Sequence, residues 1–517
     1  MRALHLSQNS NTDGTPVHGP LEKPRRRSTG VVTLTPSERP SGGGVSSSVF
    51  ANSDTVASKL NVVVLAAGLG KRMHSALPKV LHPLAGRPIV SHVLAAASTL
   101  SPRAIAVVIG HGAEAVREAL AAPDLRFAVQ DPPRGTGDAT RVGLSVLPDD
   151  GITLVTIGDI PLVPPDALAA LVREAEAGHL AVLTARVPDP TGLGRIVRDA
   201  AGRVHAIVEE RDVNELQRAI SEINTGVMAA PTGLLKRWVA ALTPDNAQRE
   251  YLLTDIVGIA SRDGVQVVAK VAADERDVRG INDRAQLAAV ERILQARQVN
   301  ALMTGGVSVA DPSRIDVRGT LHCGRDVRID VGCVFEGDVT LGDNVTIGPY
   351  CVLRDVEVAA GTAIEPYSYL ANAIVGANCR IGPYARLRPG ATLADDVHIG
   401  NFVEVKASTL GRGAKANHLA YVGDTTIGAH VNFGAGAITA NYDGVNKFRT
   451  IIGDHASIGS NCVLVAPVTV GAGATVGAGS VIAQDAPAGA LTVARPRQVT
   501  VEGWQRPVKT PKPADKG

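Results

Sequence analysis

The sequence predicts two domains of different class, an α/β Rossmann-like domain followed by an all-β parallel β-helix. Three observations carry this. Apolar β-branched runs alternate with helical patterns over the first part of the chain. A six-residue rhythm takes over near Ile315 and holds almost to the C-terminus. Between them, from Asp283 to about Met303, runs a helical pattern with Leu287, Val290, Ile293 and Leu294 on one face, stopped by Gly305-Gly306. The expected division is a disordered extension over 1–58, the Rossmann-like domain over 59–282, a linker helix over 283–304 that reads as a hinge, the β-helix over 305–490 and a loose arm over 491–517.

Residues 1–58 are rich in Ser, Gly, Pro and Thr, carry Arg25-Arg26-Arg27 and lack apolar periodicity, which is the composition of a disordered segment. No apolar stretch follows a basic start, so this is no secretory signal. A dispensable tail or an over-long start is preferred to a targeting or RNA-binding role. The α/β pattern follows as Asn61–Leu65, Ile105–Ile109, Ile152–Ile157 and Leu180–Thr184, continuous runs that suit parallel strands buried on both faces.

The hexads read Leu-Gly-Asp-Asn-Val-Thr from Leu341 and Ile-Gly-Pro-Tyr-Cys-Val from Ile347, then Leu353, and return at Ile381-Gly382, Leu387, Leu393, Ile399-Gly400, Ile452-Gly453, Ile458-Gly459, Val470-Gly471 and Val476-Gly477. An inward aliphatic, a Gly at the corner and a small fifth residue are what a stacked solenoid requires. Gly411–Tyr421 and Ala440–Thr450 break the rhythm, and both are expected as loops off one face. They carry His418, Tyr421, Asn441, Tyr442 and Lys447, a polar set in an otherwise apolar region.

At 517 residues, 45% hydrophobic and 20% charged, the chain suits a multi-domain globular protein. A net charge of +2 gives no electrostatic case for nucleic acid, and no apolar run is long enough to span a membrane. The five cysteines form no CxxC pair. Cys333 and Cys351 share hexad position five and read as small core residues in a reducing, cytoplasmic setting.

The first strand runs into Leu65-Ala66-Ala67-Gly68-Leu69-Gly70-Lys71-Arg72-Met73. Such a turn can cradle a phosphate with backbone N–H groups or be merely structural, and its spacing is neither GxGxxG nor a Walker loop. Leu77-Pro78-Lys79 sets a second cation nearby, and Gln130, Gly135-Thr136-Gly137 and Gly158-Asp159-Ile160-Pro161 follow. An Asp just beyond a central parallel strand stands where α/β sheets bind ligands.

The ordered motifs LAAGLGKRM, LPKVLHPLAG, GTGDA, IGDIPL, DPTGLGRIV, IVEE, EINTGV and GINDR resemble those of sugar nucleotidyltransferases. With the solenoid, the chain from about Lys59 onward is similar to the bifunctional N-acetylglucosamine-1-phosphate uridylyltransferase / glucosamine-1-phosphate N-acetyltransferase family. The resemblance implies that the β-helix is left-handed, of the hexapeptide-repeat acyltransferase kind. It implies that Leu65, Ala66, Ala67, Gly68, Arg72 and Lys79 hold the UTP phosphates, with Arg72 and Lys79 catalytic, and that Gln130, Gly135 and Thr136 read the uracil. Gly194, Glu209, Asn224 and Asn282 would bind the N-acetylglucosamine part, and Asp159 and Asn282 would hold Mg²⁺. Asn282 also reads as the cap of the linker helix.

For acetyl transfer from acetyl-CoA to glucosamine-1-phosphate, the resemblance makes His418, inside KANHLAYVGD, the base and Glu404, in FVEVK, the residue that orients it. Arg388, Lys406, Tyr421 and Asn432 would take the sugar phosphate, although Arg388 and Lys406 also read as solvated surface charges. Ala435, Asn441, Tyr442, Ser460, Ala478 and Arg495 would line acetyl-CoA. The family further implies a homotrimer with acyl sites between subunits, so that His418 and Arg495 serve one site from different chains. Three positions depart from the family: Lys71 where Thr is common, Ile157 where a Tyr precedes Gly-Asp, and Asn417 where a small residue precedes the His. The rival reading is a single-activity sugar-1-phosphate nucleotidyltransferase with the β-helix as scaffold.

Overall fold

The computed structural model describes residues 59–508, so the expectations for 1–58 and for the end of the arm lie outside the described residues. The two-domain architecture holds. The first domain is built on strands β1 (Leu60–Leu65), β2 (Ala104–Ile109), β3 (Leu125–Val129), β4 (Ile152–Ile157), β5 (Leu180–Arg186), β6 (Glu222–Pro231) and β7 (Val267–Val271), in the order β7-β5-β6-β4-β1-β2-β3. Only β6 runs antiparallel to its neighbours along that path. Because side chains alternate along a strand, Val62 and Val64 of β1 feed one core and Val63 and Leu65 the other, under helices on opposite faces. That is why β1 reads as an unbroken apolar run.

The connecting helix spans Arg284–Thr304. Its Leu287, Val290, Ile293 and Leu294 pack on Leu84, Ile89, Leu162 and Ile281 of the first domain, while Val299, Leu302 and Met303 join the β-helix core. Buried Gln295 exchanges hydrogen bonds with both the N–H and the C=O of Val317, at 2.7 and 2.8 Å, and Glu291 accepts from the Ala85 N–H at 2.7 Å. These contacts seat the helix against both domains.

In the β-helix, one face is an eleven-stranded parallel sheet with one short strand per coil. The other two faces share a fifteen-stranded sheet. Its first strands, such as Asp316–Cys323 and Val334–Leu341, bend across both faces, whereas later coils give each face a separate strand. Ile347, Ile364, Ile381, Ile399, Ala416, Phe433 and Ile458 stack in register as the inward column of the first face. At most position-two glycines the need is close stacking rather than an unusual φ: a Cβ at Gly459 would lie 2.5 Å from the Ala478 nitrogen of the next coil, whereas Gly382, at φ 104°, is held to glycine by its backbone as well.

One corner carries an outward ladder, Tyr350, Tyr367, Tyr384 and Phe402, with ring centroids 5.4, 5.0 and 5.3 Å apart. All four have φ between 55° and 60°. That conformation costs an L-residue about 1–2 kcal/mol, which stacking at about 0.5–1.5 kcal/mol per pair offsets in part.

The expected loop at Gly411–Tyr421 is not a loop. Lys415–His418 is a regular strand, paired in parallel with His398–Asn401 and Asn432–Phe433. The rhythm continues there in alanine: Ala414, Ala416 and Ala420 are buried, and bulky Phe433 in the next coil fills the space that Ala416 leaves. Ala440–Thr450 does leave the coil, as a small loop closed by a bridge between Tyr442 and Lys447. All five cysteines are free. The thiols of Cys333 and Cys351 point into the core, and burial pushes them up to about 11 and about 12.

Two candidate active sites

Strands β1 and β4 lie side by side with Leu65 opposite Ile157, so the Gly-rich turn and the Asp159 loop leave the same sheet edge together. The strand order switches direction here, opening the crevice in which such sheets bind ligands. The turn is glycine-dependent at Gly70, where φ is 56° and a Cβ would fall 2.7 Å from that of Lys79. Gly68 is open to solvent, and Arg72 is exposed.

Lys79 begins a short turn and reaches back across the crevice. Its ammonium contacts the Asp159 carboxylate and lies 3.2 Å from Asn282 Oδ1. Asp283, rather than Asn282, caps the connecting helix, its side chain accepting from the Gln286 N–H at 2.8 Å. The Asn282 side chain is therefore left to face the site. Two hard oxygens on one cation are a donor set that fits Mg²⁺.

A cavity of about 700 Å³ opens beside this cluster, with Asp159, Asn224, Thr225, Arg279, Asn282 and Gln286 among its walls. The Asn224 N–H donates to the Gly194 carbonyl at 2.8 Å. A Cβ on Gly194 would come 3.3 Å from the Glu209 carboxylate, so these three residues converge. Burial pushes the Glu209 carboxyl above the usual range, with Asp255 and Asp212 adding like charge, while Thr254 Oγ1 donates to it at 3.1 Å and opposes the shift. On the other side Gln130 is buried, its amide donating to the Gly135 carbonyl at 3.0 Å and to Asp138 at 2.9 Å. Burial disfavours ionised Asp138, but hydrogen bonds from Gln130 and Arg141 prevail and hold its carboxyl low. Thr136 Oγ1 accepts from the Leu253 N–H at 3.0 Å. Sequence reasoning missed Asp138 and Thr254, although Asp138 lies inside GTGDA. Ile157, where a Tyr is common, packs over Gly226.

The second constellation wraps a corner of the β-helix. On one side of the corner Arg388 pairs with Glu404 at 2.7 Å, and Arg386 reaches the other Glu404 oxygen at 3.4 Å. One coil on, Lys406 lies 3.6 Å from Asp424, which also accepts from Asn441. Tyr421 sits over Gly423, where a Cβ would meet its hydroxyl at 2.5 Å. On the other side His418 ends its strand, and the corner positions of the following coils are Ala435, Ser460 and Ala478, linked by N–H···O=C bonds from Gly436 to His418, from Asn461 to Ala435 and from Gly479 to Ser460. Arg495 donates to the Ala478 carbonyl. Tyr442 is exposed on the protruding loop, its hydroxyl donating to the Gly444 carbonyl. Asn432 lies on the eleven-stranded face, opposite Lys415 and Ser457, apart from Arg388, Lys406 and Tyr421. Glu404 spends both oxygens on arginines, whereas His418 Nδ1 lies 2.8 Å from Asn401 Oδ1. Asn401 and Asp424 had not been singled out from the sequence.

An α/β crevice with a Gly-rich turn, joined to a hexapeptide β-helix with a histidine at its corner, defines a sugar-nucleotide transferase fused to an acyltransferase. Residues 62–223 match the MobA-like NTP transferase domain, 317–410 the GMPPB C-terminal domain and 449–484 the bacterial transferase hexapeptide of six repeats. The chain is 56% identical over 453 residues to the bifunctional protein GlmU of Ralstonia pickettii, spanning 88% of this chain and 100% of that protein. It is 57% identical over 453 residues to that of Cupriavidus pinatubonensis, with the same coverage, and 57% identical over 455 residues to that of Bordetella parapertussis, with 87% and 99% covered. The chain belongs to the bifunctional GlmU family. It is an enzyme of UDP-N-acetylglucosamine synthesis with uridylyltransferase and acetyltransferase activities.

Proposed function

We propose that residues 59–282 transfer uridylyl from UTP to N-acetylglucosamine-1-phosphate and that 305–490 acetylate glucosamine-1-phosphate first, with 283–304 as the link and 491–517 as an arm. The observation that carries this is the separation of two polar constellations, one at the sheet's switch point and one at the β-helix corner.

In the first site, Leu65 to Gly68, Arg72 and Lys79 receive the triphosphate, while Gln130, Gly135 and Thr136 read the base. Gly194, Glu209, Asn224 and Asn282 hold the sugar. The sugar phosphate oxygen attacks the α-phosphorus and pyrophosphate leaves; the nucleophile is already an anion, so no base is required. Positioning and charge neutralisation by Lys79 and Arg72 supply most of the acceleration. Asp159 and Asn282 would hold Mg²⁺, which neutralises phosphate charge when bound.

In the second site, Arg388 and Lys406 grip the sugar phosphate, with Tyr421 and Asn432 about the sugar, and Glu404 fixes Arg388. Ala435, Asn441, Tyr442, Ser460, Ala478 and Arg495 line acetyl-CoA. The amine attacks the thioester carbonyl, His418 takes the amine proton, and that proton goes to the departing thiolate. We place Asn432 and Arg388 of one site on different chains of a homotrimer, because one chain holds them on different faces. A cytoplasmic location suits the free thiols.

The test is one pot: purified protein, glucosamine-1-phosphate, acetyl-CoA, UTP and Mg²⁺, with products read by mass spectrometry. UDP-N-acetylglucosamine is expected. Product only when N-acetylglucosamine-1-phosphate is supplied would make the β-helix a scaffold.

A further inference from the structure

The polar contact at the β-helix corner that the roles above leave unused is the one between His418 and Asn401. The strands His398–Asn401 and Lys415–His418 pair in parallel with Asn401 opposite His418. Each is followed by a corner residue in the left-handed region, Phe402 at φ 57° and Leu419 at φ 51°. The Leu419 N–H donates to the Asn401 carbonyl at 3.0 Å, locking the two coils together at that point. The two side chains thus leave the prism at the same corner, one coil apart, and Nδ1 stands 2.8 Å from Oδ1. Among the described residues no other side chain bonds to His418, and both Glu404 oxygens are taken by Arg388 and Arg386.

A histidine that takes a proton at Nε2 must carry its own hydrogen at Nδ1, so whatever faces Nδ1 has to accept. An asparagine Oδ1 can do so, and it keeps the same hydrogen bond after the imidazolium forms. The opposite amide orientation would donate to Nδ1 and put the hydrogen on Nε2, where no proton could be taken up. A carboxylate in this place would favour the charged ring before reaction; an amide carries no such bias.

We propose that Asn401 is the positioning residue of the acetyl-transfer base, fixing the Nδ1–H tautomer of His418 so that Nε2 is free. This rests on the reading of His418 as the base. The test is acetyl transfer by the full-length chain carrying Asn401→Leu, Asn401→Asp or His418→Ala, with uridylyl transfer as the control for folding. Asn401→Leu should lower kcat about 10- to 100-fold, leave KM for glucosamine-1-phosphate within about threefold and leave uridylyl transfer unchanged. Asn401→Asp should recover most of kcat and move the acidic limb of the kcat/KM profile upward by about one pH unit. Full kcat in Asn401→Leu, or an unmoved limb in Asn401→Asp, with His418→Ala inactive, overturns the positioning role alone. An active His418→Ala overturns the base itself.

Discussion

Lys79 stands between two oxygens that a divalent cation would also seek, those of Asp159 and Asn282. A metal ion at those oxygens would have to displace its ammonium. Lys79→Met should raise the affinity of the nucleotide-free chain for Mn²⁺, followed by electron paramagnetic resonance, while cutting uridylyl turnover by about 10²-fold or more. Unchanged Mn²⁺ affinity would mean that the lysine does not guard the site. Glu209 offers a second test at this scale. Burial raises its folded-state pKa, so the folded chain holds the proton more tightly than the unfolded chain does. Its contribution to stability is present at low pH and is lost as pH rises through the raised value. Glu209→Gln should melt higher than wild type at pH 8, and the gap should close as pH falls below the ordinary glutamate range. A pH-independent difference in Tm would remove burial of the charge as its cause. His418→Ala should cost acetyl transfer about 10²- to 10⁴-fold with uridylyl transfer intact, as coupled assays of the two half-reactions would measure.

At the scale of elements, the β-helix is held by columns of inward side chains, and its weakest and strongest points adjoin. Ala416 contributes little apolar area, so Phe433, 2% exposed in the next coil, carries the packing beneath the His418 strand. Phe433→Ala should destabilise by about 3–5 kcal/mol, read from denaturant unfolding, because its column neighbour Ala416 is too small to fill the space. The same alanines explain what was illegible in the sequence. Hexads with Ile or Leu announced themselves, and the sheet strands did so through runs such as Asn61–Leu65. The Ala-centred coil from Gly411 read as a loop because alanine gives a weak apolar signal in either setting. Asn282 was taken for a possible helix cap because capping depends on a one-residue boundary that sequence does not fix, and Asp283 takes it. Asn401 was invisible for a different reason: it meets His418 only through the register of two coils, and no local motif encodes that register.

Taken as a whole molecule, the two sites differ in how much one chain supplies. In the α/β domain Lys79, Asp159 and Asn282 touch within a single chain, and Gly194, Glu209 and Asn224 form a second local group. On the β-helix, Arg388, Lys406 and Tyr421 occupy one face, Asn432 another, and His418 the corner between them. A convex prism cannot bring two of its own faces onto one small substrate, but a groove between parallel prisms can. In the homotrimer proposed above, the acetyl site should therefore draw Arg388 and Asn432 from different chains. Two inactive variants decide this: Arg388→Ala and Asn432→Ala, each first shown to be impaired in acetyl transfer alone and proficient in uridylyl transfer. Denatured together in equal amounts and refolded as mixed trimers, they should regain about a quarter of the wild-type acetyl rate, since that fraction of random neighbour pairs unites an intact arginine with an intact asparagine. If both residues of a site came from the same chain, every site would lack one of them and no activity would return.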